Sequence, residues 1–123
     1  MWTFIQRTGE LLHDGMPKGA GYSGAGPGKN NPTMQSDHGV GPIPCGFYSI
    51  AGLIDHDPAC GEYVLVLTPD HANEMFGRTG FRWHGDSAEH PGQASHGCIV
   101  SARALRSEAW DGDDHNLHVI SGL

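Results

Sequence analysis

The sequence predicts a mainly β, single-domain protein with one or two short helices. Its 123 residues suffice for one modest hydrophobic core and not for two. The 19 Gly and 8 Pro punctuate the chain in a way that suits short strands joined by turns. Several runs between these breaks are rich in aromatic and β-branched residues, which fit a pleated, half-buried surface.

Taken in order, Trp2 to Arg7 alternates bulky with polar side chains, and Glu10 to His13 resumes after Thr8-Gly9, which predicts an opening hairpin. From Gly15 to Gly46 the composition turns to Gly, Pro, Ser and Asn. That segment is expected to be mostly loop, and a loop of this length in a small domain is expected near a site, as a rim or lid. Phe47 to Ile54 and Glu62 to Thr68 predict two core strands across a turn holding Asp55-His56-Asp57-Pro58 and Cys60-Gly61. Phe81 to Gly85 and Cys98 to Val100 are shorter strand candidates flanking the polar loop Asp86 to Ser95. Ser101 is placed to cap a helix running to about Trp110, since Ala, Leu, Arg and Glu favour helix. Asp111-Gly112-Asp113-Asp114 ends it, and Asn116 to Ile120 reads as a last strand.

Charge and hydropathy exclude several function classes. The formal charge of -7, from 14 acidic against 7 basic residues, repels phosphate backbones, so nucleic acid is not an expected partner. No stretch approaches the roughly 20 apolar residues needed to span a bilayer, and Met1-Trp2-Thr3-Phe4 lacks a basic region leading into an apolar run. A chain without a membrane span or signal peptide is expected. Of Cys45, Cys60 and Cys98, at least one thiol is free. Cys45 and Cys60 either pair in an oxidising compartment or remain reduced and half-buried.

Two familiar patterns fail on context. Gly19-x-Gly21-x-x-Gly24 matches a dinucleotide fingerprint by letter, without a preceding strand and following helix, and Gly28-Lys29 lacks both the upstream Gly and the following Ser or Thr of a phosphate loop. His84, His90 and His96 with Asp86 and Cys98 invite a metal reading, but there is no helical His pair and no Cys-x-x-Cys, so neither metal nor cofactor is predicted.

What remains is His84-Gly85-Asp86 followed, after a short polar loop, by Ser95-His96-Gly97-Cys98-Ile99-Val100. A cysteine nucleophile needs an adjacent imidazole to take its proton or hold the ion pair, and His84 does this if the two strand ends converge. Gly97 permits a sharp turn before Cys98, so the N–H groups of Gly97 and Cys98 are candidates to face one developing oxyanion. Papain-like enzymes place Cys before His, the reverse of the order here. A zinc peptidase and a non-catalytic binding module are the other readings.

Ser95-His96-Gly97-Cys98-Ile99-Val100 resembles the catalytic motif of the L,D-transpeptidases, in which a histidine precedes a Ser/Thr-His-Gly-Cys segment. Gly28-Lys29-Asn30-Asn31-Pro32, Gly41-Pro42-Ile43-Pro44, Met75-Phe76-Gly77-Arg78, His84-Gly85-Asp86-Ser87 and Pro91-Gly92-x-Ala94-Ser95 are similar to the type VI secretion effectors of that family. The resemblance implies a single L,D-transpeptidase-like β-sandwich catalytic domain over residues 1–123, acting on peptidoglycan stem peptides. It implies Cys98 as nucleophile, His84 as base, Ser95 and Gly97 as turn-shaping residues and His96 in a supporting role. Arg78 and Arg82 become candidates to hold a substrate carboxylate, with Gly85 and Asp86 beside them. The His84 to Ser95 interval is shorter than in the housekeeping enzymes, implying a trimmed loop and a more open site. The resemblance further implies synthesis in the cytoplasm, delivery by a secretion apparatus to a rival's periplasm, and an immunity protein in the producer.

Overall fold

A computed structural model describes residues 1–123. Nine strands form one continuous sheet: β1 (Trp2–Ile5), β2 (Glu10–His13), β3 (Met16–Ala20), β4 (Tyr22–Ser23), β5 (Gly46–Asp57), β6 (Gly61–Pro69), β7 (Arg82–His84), β8 (Ile99–Val100) and β9 (Asn116–Ile120). One helix, α1 (Arg103–Asp111), lies between β8 and β9, and two 3₁₀ turns lie at Gly26–Gly28 and Pro32–Met34. The strand order is β3-β2-β1-β9-β5-β6-β7-β8-β4.

The opening hairpin forms as its alternation requires, with Trp2 opposite His13 and Phe4 opposite Leu11. Trp2, Phe4 and Leu11 are all buried. β1 then pairs in parallel with β9, Trp2 against Leu117 and Phe4 against Val119. β5 and β6 make the long central hairpin, with a register shift between Ile50 and Gly52. β6 buries Val64 and Leu65 in succession, so both of its faces are covered; α1 packs against it.

The sheet curls over its own core. Trp2 in β1 meets Trp83 in β7 edge to face, ring centroids 5.9 Å apart, although three strands separate them in the sheet. The two edge strands, β3 and β4, are joined by Gly21 alone. The Gly21 N–H donates to the Gly9 carbonyl at 2.7 Å. A Cβ at Gly21 would lie 1.9 Å from the Val100 carbonyl oxygen, so only glycine lets the two sheet ends converge there.

Two expectations need correction. Ser101 does not cap α1: Ala102 holds that position without a side-chain bond, and the Ser101 hydroxyl instead accepts from the buried Trp83 indole N–H at 2.7 Å. The segment from Gly15 to Gly46 is only partly loop, because β3, β4 and the two 3₁₀ turns lie within it. Short side chains and close backbone approach hold those pieces, and neither leaves an apolar alternation in the sequence.

Candidate active site

β7 and β8 run parallel, with Trp83 beside Ile99 and His84 beside Val100. Trp83 and Ile99 are buried in the core. Side chains alternate along a strand, so His84 and Cys98 share the opposite face. Continuing the register sets Cys98 next to Arg82, whose backbone N–H donates to the Cys98 Sγ at 3.3 Å.

The turn before Cys98 is built around two buried hydroxyls. Ser95, fully buried, donates to the Cys98 carbonyl at 2.6 Å and accepts from the Gly24 N–H at 2.9 Å and the Gly97 N–H at 3.1 Å. Ser23, also fully buried, donates to the Gly97 carbonyl at 3.0 Å and accepts from the Ile43 N–H at 2.8 Å. The expected pair of oxyanion donors is thereby corrected: the Gly97 N–H is already engaged by Ser95, and the Cys98 N–H alone of the two has no partner. Gly97 has φ +140°, and a Cβ there would lie 2.4 Å from the Arg78 Nη2.

Arg78 is also corrected. It is 5% exposed, and its guanidinium donates to the carbonyls of Gln35, Pro42, Gly41 and His96 at 2.7 to 3.3 Å. Every Nη hydrogen is used, so it staples the 35–42 segment to the turn before Cys98 instead of presenting a fork to a carboxylate. That segment forms a fixed rim, with His38 and Gly39 lining the cleft of about 300 Å³ onto which Cys98, His96 and Phe81 open. His96 is exposed, its Nδ1 3.3 Å from the Gly39 carbonyl.

Asp86 is organised inward as well. Its carboxylate accepts from the Tyr22 hydroxyl at 2.7 Å and from the backbone N–H groups of Ser87 and Gly92. It therefore shapes the 86–95 loop, and its partners hold its pKa below the ordinary carboxylate value despite partial desolvation. Arg82 keeps more freedom: it is half-buried and only its Nη1 is bonded, to the Phe81 carbonyl at 3.1 Å.

His84 is buried, and its Nδ1 donates to the Gly85 carbonyl at 2.8 Å. A carbonyl only accepts, so the neutral ring is the Nδ1-protonated tautomer and Nε2 is left as the basic nitrogen. Neither His84 nor His96 is hydrogen-bonded to the thiol. Burial pushes the His84 pKa below 6.5, and burial pushes the Cys98 thiol above 9.0 against the pull of the Arg82 N–H and the charges of Arg82 and Arg78. The resting pair at neutral pH is thus uncharged: a thiol and a free base.

Sequence reasoning missed Ser23 and Cys60. Ser23 sits in a glycine-rich stretch with no pattern to mark it. Cys60, at the tip of the β5–β6 hairpin, lines with His84 a second cleft of about 500 Å³, and its thiol is pushed up to about 11 by burial and by the neighbouring Cys98. All three cysteines are free, so Cys45 and Cys60 are not bonded to each other; the Cys45 thiol donates to the Gln6 side chain at 3.3 Å.

The sheet superposes on an L,D-transpeptidase from Mycobacterium smegmatis with a TM-score of 0.50 at 16% identity, over 98% of this chain and 58% of that one. The chain thus spans under two thirds of that structure's length, and the likeness is one of fold. No curated protein matches the sequence. The Tlde1 domain matches residues 17–121, a span holding every residue of the site just described, and the chain belongs to the Tlde1 domain family.

Proposed function

We propose that this protein is a peptidoglycan-modifying cysteine enzyme that acts as an L,D-carboxypeptidase or exchanging L,D-transpeptidase on tetrapeptide stems. The observation that carries the reading is the placing of Cys98 and His84 on one face of adjacent parallel strands, with His84 Nδ1 pinned to Gly85 so that Nε2 is the base. Membership of the Tlde1 domain family, a family of type VI secretion L,D-transpeptidase effectors, supports the substrate class.

In this reading His84 Nε2 takes the Cys98 proton as the sulfur attacks the carbonyl of the third stem residue, and a C–S bond forms. Because the resting pair is uncharged, the proton moves during the attack, the mode of a general base. The free Cys98 N–H lies where negative charge develops on the carbonyl oxygen. The C–N bond to the terminal D-alanine then breaks, and its amine leaves with the proton held by His84. Water, deprotonated by His84, adds to the thioester carbonyl, the C–S bond breaks to release the acid, and His84 returns the proton to the Cys98 sulfur; a D-amino acid amine in place of water gives exchange. Approach of Nε2 to the sulfur is completed in the substrate complex, where catalytic hydrogen bonds commonly tighten. Arg82, unlike Arg78, has donors left for a substrate carboxylate, and His96 supports the cleft wall.

Action in a target cell's periplasm, delivery by a secretion apparatus and a cognate immunity protein belong to the same proposal. The test is mass spectrometry of tetrapeptide muropeptides incubated with the wild type, Cys98→Ala and His84→Ala, with and without an added D-amino acid. Loss or replacement of D-alanine by the wild type alone supports the reading. Fragments unchanged in every sample overturn it in favour of a non-catalytic wall-binding module.

A further inference from the structure

We propose that the cavity at the N-terminus of α1 is a carboxylate-binding subsite, formed by Arg106, Arg103 and the uncapped amides of the helix's first turn. Arg106 carries the argument. It is 4% exposed, and its Nη1 donates to the carbonyls of Glu62 at 3.1 Å and Tyr63 at 2.6 Å. Its Nε is buried without any partner, and its Nη2, which a Cβ on Gly85 would approach to 2.9 Å, makes no hydrogen bond. No carboxylate pairs with it. A buried charge without a counter-ion is costly, and this chain, with 14 acidic residues, places none of them against this guanidinium. Burial and the charge of Arg103 both push its pKa below the ordinary guanidinium value, the direction a bound anion reverses.

The helix terminus adds a second set of donors. α1 has nine residues, no side-chain cap and no acidic residue in its first turn. Leu105 and Arg106 turn their N–H groups back to the Ala102 carbonyl, whereas those of Arg103 and Ala104 have no acceptor. Such a terminus favours an anion. Both arginines and Ala102 line a cavity of about 600 Å³ together with Tyr22, Gly85 and Asp86. Asp86, the one carboxylate lining the cavity, is already satisfied by Tyr22, Ser87 and Gly92, and Glu62 stands 3.9 Å from the Arg103 Nη1, both side chains exposed to solvent. Gly85 and Asp86 also line the His84 cleft, so an anion held here sits next to that cleft.

The ligand is the free carboxylate of a peptide stem or of a D-amino-acid acceptor. That identity rests on the proposed function, whereas the anion site itself does not. The experiment titrates ¹⁵N-labelled Cys98→Ala protein with N-acetyl-D-alanine, its methylamide and sodium sulfate, each read by NMR. N-acetyl-D-alanine is expected to move the amide signals of Arg103 and Ala104 and the Arg106 Nε–H signal, and the methylamide to leave them in place. Arg103→Gln should weaken the response about tenfold, the loss of one charge-assisted contact. Arg106→Lys, which keeps a donor for the Glu62 and Tyr63 carbonyls, should abolish the response while keeping a dispersed spectrum. No response at these signals, an equal response to the methylamide, or a response to sulfate alone overturns the subsite. Muropeptide turnover by the wild type is scored separately: turnover without the titration response removes only the subsite, and the response without turnover removes only the enzymatic reading.

Discussion

The Ser95 hydroxyl donates to the Cys98 carbonyl at 2.6 Å while accepting two backbone N–H groups, so one buried side chain fixes both ends of the turn that presents the thiol. Ser95→Ala leaves a carbonyl and two N–H groups in search of partners, at about 1 to 3 kcal/mol for a buried group left unsatisfied. The expected outcome is a fall in unfolding free energy of at least about 2 kcal/mol in urea, with turnover reduced more than tenfold. Ser95→Thr keeps the hydroxyl and should retain most of both. Equal stability of Ser95→Ala and wild type would contradict the role given to this hydroxyl.

The uncharged resting pair sets the pH profile. In the proposed mechanism the neutral His84 is the base, and burial lowers its pKa from 6.5, so kcat/KM should fall only as pH drops through that lowered value. The linkage follows the same sign. Between the folded pKa and 6.5 the unfolded chain binds the extra proton, so the stability His84 contributes is present above 6.5 and is lost as pH falls through that window. Alkylation of Cys98 by iodoacetamide, for its part, should keep rising beyond pH 9.0. An alkylation rate already level at pH 7 would mean a preformed thiolate–imidazolium pair instead.

Gly97→Ala tests the packing under Cys98. The substitution strains a φ of +140° and drives a methyl toward the Arg78 Nη2. Strain of this kind costs about 1 to 3 kcal/mol. Arg78 should let go of the Gly41 and His96 carbonyls first, and the loss should appear in the melting temperature as well as in turnover. A variant as stable and active as wild type would show that the turn relaxes freely.

Cys45→Ser is expected to leave turnover within about twofold, because a serine hydroxyl can donate to Gln6 as the thiol does. Thiol titration of the denatured wild type without reductant should find all three cysteines free. A loss of activity comparable to that of Cys98→Ala would move the nucleophile to Cys45.

The opening hairpin, the β5–β6 hairpin and β9 were legible because each buries one or two faces of a strand with bulky side chains, which leaves its period in the sequence. The expected β-rich, single-domain class with a short helix stands. Cys98 and His84 were legible as a pair of residue types in a specific motif, and the sheet supplies the register that no spacing could. Arg78 was misread because a guanidinium that binds four backbone carbonyls looks, in sequence, like one that binds substrate. Arg106 drew no attention for the converse reason: it sits in an ordinary helical run, and its missing partners are visible only in three dimensions.

The parallel pairing of β1 with β9 ties Trp2 to Leu117 and Phe4 to Val119. The core therefore closes only when residues about 115 positions apart in sequence have met, and until then Trp2 and Phe4 lack the strand that covers that side. Sheets whose contacts are this distant in sequence assemble slowly, typically over milliseconds to seconds. Until β1 and β9 have paired, the sheet that sets Cys98 and His84 on neighbouring strands is incomplete, so the site is finished by a contact made far from it in the fold.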